Sequence, residues 1–72
     1  MTRAEALAAI QSARAKRGLT QAAAAHAAGI SQGTWANAES GGRTISPETI
    51  VRMAKAVGLR LKYEPERFSA VR

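Results

Sequence analysis

Between Ser31 and Glu39 lie the amide side chains of Gln32 and Asn37, the hydroxyl of Thr34, and a glycine, Gly33. If Trp35 and Ala38 are the buried pair of a helix here, the opposite arc holds Gln32, Gly33, Thr34 and Asn37. Glutamine and asparagine amides place a donor and an acceptor side by side, which matches the N6/N7 edge of adenine. The threonine methyl can meet a thymine methyl. Gly33 reads nothing itself, but it lets another backbone come close, at a helix-propensity cost of about 1 kcal/mol. The alternative is an ordinary solvated helix face.

Other chemistries find little support. The chain has no cysteine and one histidine, His26, so neither a disulfide framework nor a zinc site is available. His26 has no serine, cysteine or carboxylate nearby in sequence and is expected to be exposed. There are no paired carboxylates and no glycine-rich phosphate loop of known spacing. No enzyme, metal or cofactor is expected.

Eleven Lys/Arg against five Asp/Glu give a formal charge of +6 in 72 residues, and the isoelectric point is near 11.3. A small domain this basic often meets a polyanion, although solubility alone would also use the charge. The length fits one small domain, marginal alone and helped by a partner chain. With no long apolar run and no signal-like segment, the expectation is a soluble cytoplasmic protein that does not enter a membrane.

The elements that must hold these residues are densely punctuated. Thr2 to Glu5, "TRAE", reads as a capping box opening a helix to about Arg17, with Leu7, Ile10 and Ala13 as a weak apolar stripe. Gly18 stops it. Thr20 caps a second helix, Gln21 to about Ala28, and Gly29 ends it. Ser31 caps a third, through Trp35 to about Glu39. Ser40–Gly42 breaks the chain. Ser46 and Pro47 start a fourth helix, carrying Ile50, Val51, Ala54 and Val57, and Gly58 ends that one. From Leu59 to Glu64 the period changes to two, which predicts a short strand with Leu59, Leu61 and Tyr63 on one face.

Two short helices joined by a tight turn at Gly29 have the layout of a helix-turn-helix, whose second helix enters the DNA major groove. Ala25 permits a close crossing, and Ile30 plugs the angle between the helices. "LTQAAAAHAAGISQGTWANAESG" resembles the Cro/Xre-type helix-turn-helix of phage repressors and bacterial regulators, over roughly Ile10 to Leu59. The resemblance rests on "GLTQ", on Ala25 and Gly29 four apart, on "GIS", and on Glu39 followed by "SG". It implies an all-α, compact four- to five-helix bundle, here over residues 1–58. Residues 59–72 are expected to be a C-terminal strand and tail that serves dimerisation.

The resemblance further implies roles. Gln32, Gly33, Thr34 and Asn37 fall on base-contacting positions. Gln21 falls on a position that bonds phosphate. Arg43 falls in a loop that grips the DNA backbone, with a solvated arginine as the alternative. Arg14 and Glu39 fall on an ion pair joining the first helix to the end of the third. Lys16, Arg17, Arg52 and Lys55 are basic without a specific role. The sequence departs from the pattern where alanine replaces a large apolar residue, at Ala24 and Ala38, and where Trp35 replaces an aliphatic one. The indole is expected to fill the volume that the alanines leave; stacking on DNA is the competing role.

Two functions stay open. One is a sequence-specific double-stranded DNA-binding transcriptional regulator that reads a palindromic operator as a homodimer. The other is the antitoxin of a toxin–antitoxin pair, which binds a protein toxin and represses its own operon. A single strand needs a partner strand. Pairing across a two-fold axis through Leu59, Leu61 and Tyr63 would supply one, unless the segment simply pads its own bundle.

Overall fold

A computed structural model describes residues 2–42 and 44–60. These form four helices: α1 (Arg3–Lys16), α2 (Gln21–Ala28), α3 (Gln32–Glu39) and α4 (Pro47–Ala56). The expected all-α bundle is therefore observed, with no strand among the described residues. Leu61, Tyr63 and most of the expected strand lie outside the described residues, as does Arg43.

Each helix begins at a hydroxyl. Thr2, Thr20, Ser31 and Ser46 are N-caps in extended backbone, and each accepts a bond from the amide three residues on. At α1 the box is closed reciprocally, by Glu5 N–H to Thr2 Oγ1 at 3.1 Å and Thr2 N–H to Glu5 Oε1 at 2.8 Å. Such caps satisfy amides that an isolated helix would leave unpaired. This matters here because α2 and α3 have only eight residues each, too few to be stable without caps and packing.

The turn between α2 and α3 is closed by Gly29 in the left-handed region, at φ +74°. The Ile30 amide then reaches back to the Ala25 carbonyl at 3.0 Å. A glycine takes this conformation without the steric penalty other residues meet. The chain so reversed packs α2 against α3 and α4, and α1 against α4 and α3. Ala24, Ala25 and Ala28 form the buried face of α2. Side chains this small let the neighbouring backbones approach.

Around them lie Leu7, Ile10, Trp35, Ile45, Ile50, Met53 and Val57, all buried, each large apolar side chain contributing roughly 1.5–3 kcal/mol by leaving water. Leu19, Ile30 and Leu59 pack partly buried against this core. On α4 one expectation fails: Val51 is exposed, and Met53 is buried in its place. The buried stripe is Ile50, Met53, Ala54 and Val57, spaced i, i+3, i+4, i+7. Val51 lies one residue, about 100°, off that line.

Candidate nucleic-acid interface

Helix α3 has two sides. Its inner side carries Trp35 and Ala38, both fully buried, and Glu39, whose side chain is 7% exposed. Its outer side carries Gln32, Gly33 and Asn37, all exposed, and Thr34, half-buried. The structure thus brings the four expected base-contacting positions onto one solvent-facing arc. The cap of α3 organises the start of that arc, since Ser31 Oγ accepts from the Thr34 amide at 3.0 Å and lies 2.8 Å from Thr34 Oγ1. Near its end, the Asn37 amide donates to Thr44 Oγ1 at 3.2 Å. Thr44 had no distinguishing mark in the sequence. The loop that brings it there depends on two glycines of positive φ, Gly41 and Gly42.

Gly42 is the tighter of the two. It is buried at φ +64°, and a Cβ there would lie 2.6 Å from Leu7 Cδ1 and 3.2 Å from the Ala38 carbonyl oxygen. A side chain there would have to push the tip of Leu7 aside, crowd the Ala38 backbone and hold a left-handed conformation that other residues rarely adopt. Its amide donates to the Asn37 carbonyl at 3.0 Å, and its own carbonyl accepts from the Arg3 guanidinium. Gly33 is the opposite case. A Cβ there would meet only Ser31 Oγ, at 3.9 Å, so nothing within the described residues requires a glycine.

Glu39 anchors the inner side. Its Oε2 accepts from Arg14 Nε at 2.6 Å and from Trp35 Nε1 at 2.7 Å. Its Oε1 accepts from Gln21 Nε2 at 2.8 Å and from Arg14 Nη2 at 3.3 Å. Arg14 also donates through Nη1 to the Leu19 carbonyl at 2.7 Å. One carboxylate thus ties α1, the start of α2 and the end of α3 together. Burial pushes its pKa up, but the hydrogen bonds from Arg14, Gln21 and Trp35 and the Arg14 charge prevail. Glu39 is therefore held below the ordinary glutamate value of 4.5.

The expected Arg14–Glu39 pair is present, and Trp35 is in the core rather than at the surface. The sequence reading missed the other two donors. The Trp35–Glu39 separation of four residues was a readable signal, since i and i+4 side chains meet on a helix. The Gln21 bond crosses between helices and had no such signal. The α2 amino end carries no acidic residue in its first turn, so the charge there favours an anion. Lys16, Arg17, Arg52, Lys55 and Arg60 are exposed, and His26 is exposed on α2.

Capped α2, a left-handed glycine turn and α3 with a free polar arc define a helix-turn-helix, a DNA-binding class of fold. A family model described as Helix-turn-helix matches residues 10–63, and the chain belongs to that family, of Cro/Xre type. No curated protein and no solved structure matches the chain. Among the described residues no helix is long and apolar enough to cross a membrane, and no group of histidine, cysteine and acidic side chains is placed to hold a metal ion.

Proposed function

We propose that this DNA-binding helix-turn-helix regulator reads a specific operator with the outer arc of α3 in the major groove. The observation that carries the reading is the arc itself. Gln32, Gly33 and Asn37 are exposed together on the helix whose other side is wholly committed to the core. In this arrangement Gln32 and Asn37 pair with base edges, Thr34 offers its methyl, and Gly33 admits the DNA to the helix backbone. Gln21 meets a phosphate beside the amino end of α2, and Arg43 meets the adjoining backbone.

The regulator acts as a homodimer on a palindrome, with two α3 helices about one DNA turn, roughly 34 Å, apart. Support comes from the surface that leads into the C-terminal segment. Val51, Ala54, Lys55, Leu59 and Arg60 line an open groove of about 330 Å³, and Val51 is a large apolar residue left exposed beside it. Leu59 partly covers its own core; Leu61 and Tyr63, outside the described residues, are proposed as the partner contacts.

Selection from a pool of random duplexes tests this reading. It is expected to enrich an inverted repeat whose half-sites lie about 10 base pairs apart, or a multiple of that, centre to centre. No enrichment over the starting pool would remove sequence-specific recognition. Enrichment of a single half-site would remove the dimer only.

A further inference from the structure

Glu39 has its side chain buried and is not part of the proposed base-reading arc, yet it holds the side chain of Gln21, a residue proposed to meet phosphate. A carboxylate offers about four acceptor positions and no donor. Four N–H groups bond to Glu39, two from Arg14, one from Gln21 and one from Trp35. Because Glu39 only accepts, it decides which end of the Gln21 amide turns toward it, and that end is the nitrogen. An NH₂ group has two hydrogens. Glu39 takes one of them, and the other remains on the same nitrogen for an outside acceptor. Arg14 and Trp35 in turn fix the carboxylate. Trp35 is fully buried, so its indole cannot itself touch a duplex.

We infer that Glu39 is a positioning residue for DNA binding. With Arg14 and the Trp35 indole N–H holding it, Glu39 orients the Gln21 amide so that its second N–H is presented to a phosphate. The inference rests on the proposed phosphate contact of Gln21. It makes the buried indole a sensor of that contact, because Trp35 and Gln21 share one carboxylate. It also separates Gln21 from the arginines and lysines. An uncharged amide releases no counterion, so its loss weakens binding by one factor at every salt concentration and leaves the salt slope unchanged.

The test uses the full chain on random-sequence duplex, with Gln21→Met, Glu39→Gln and the double variant. Hydrogen bonds to charged groups set the scale, so Gln21→Met is expected to weaken binding about tenfold with an unchanged salt slope. Glu39→Gln is expected to weaken binding several-fold alone and by less than about twofold when added to Gln21→Met. Equal losses in both backgrounds would make Glu39 merely structural and overturn the inference, as would unchanged binding by Gln21→Met.

A second measurement does not need a folded Glu39 variant. The Trp35 indole N–H resonance is expected to move when wild-type protein is saturated with duplex, and to stay still when Gln21→Met is saturated. Movement of equal size in both would overturn the inference. A wild-type chain that binds no duplex would overturn both the inference and the proposed function, whereas duplex binding with additive losses would overturn the inference alone.

Discussion

The two sides of α3 use the same kinds of atoms to opposite ends. On the inner side, every polar group of the Trp35–Glu39 pair is turned inward and engaged. The indole N–H and both carboxylate oxygens have partners within the chain. On the outer side, the polar groups of Gln32, Thr34 and Asn37 are at or near the surface, with only short-range bonds from Thr34 and Asn37. Buried polar groups must be satisfied internally, because water is not there to do it. Exposed ones are satisfied by water and can exchange it for a ligand. Substitutions on the inner side are therefore expected to act on stability, and those on the outer side on recognition.

The largest expected effect is on the inner side. Trp35→Ala removes the largest fully buried side chain, and changes of that kind cost about 3–5 kcal/mol, much of the stability of a small domain. Loss of the cooperative thermal transition by circular dichroism is the expected result. A midpoint within a few degrees of wild type would break the division between the two sides. Glu39→Ala follows. It leaves Arg14, Gln21 and the indole N–H without their acceptor, and breaking a buried pair costs about 3–5 kcal/mol. Arg14 keeps 17% of its side-chain exposure, so the lower end of that range is expected.

Acid provides a related check. The folded pKa of Glu39 is depressed, so the unfolded chain takes up the proton first. The stability from Glu39 is present above the ordinary carboxylate range and is lost as pH falls from about 4.5 toward the folded value. The thermal midpoint of wild type is expected to fall over that window, and that of Glu39→Gln to fall much less. Equal slopes would mean that the network does not set the acid limb. Glu5 is also depressed, chiefly by its bond with the Thr2 backbone, but it is fully exposed and serves only the α1 cap.

A smaller effect on stability tests the contrast from the other direction, because it has the opposite sign. Gly33→Ala places a methyl group on a helix where it meets only Ser31 Oγ, at an ordinary contact distance of 3.9 Å, and alanine exceeds glycine in helix propensity by about 1 kcal/mol. The variant is expected to melt higher than wild type and to bind its selected duplex more weakly. A variant that melts higher and binds equally well would remove close backbone approach as the reason for the glycine.

Much of this was legible in the sequence because it is local. Thr2, Thr20, Ser31 and Ser46 announce helix starts by their own hydroxyls, and Gly29 announces the turn by its missing Cβ. The outer arc followed once Trp35 was placed in the core. Val51 is hard to place by periodicity, since a valine one residue off the stripe looks like part of it, and it is Met53 that completes the buried line. The Gln21–Glu39 bond and the Asn37–Thr44 bond were not legible, because they join side chains brought together by the packing of α2 on α3 and by the glycine loop. The pairing of Arg14 with Glu39 came from family resemblance, as nothing in their spacing of 25 residues indicates it.

Asn37→Ala tests the central claim most directly, measured as the ratio of affinity for the selected duplex to affinity for random duplex, beside a thermal melt. The melt is expected to stay within about 0.5 kcal/mol of wild type, as for surface substitutions. The ratio is expected to fall by the equivalent of about 1–3 kcal/mol, the value of one good bidentate base contact. An unchanged ratio with an unchanged melt would mean that the outer arc of α3 does not face the bases.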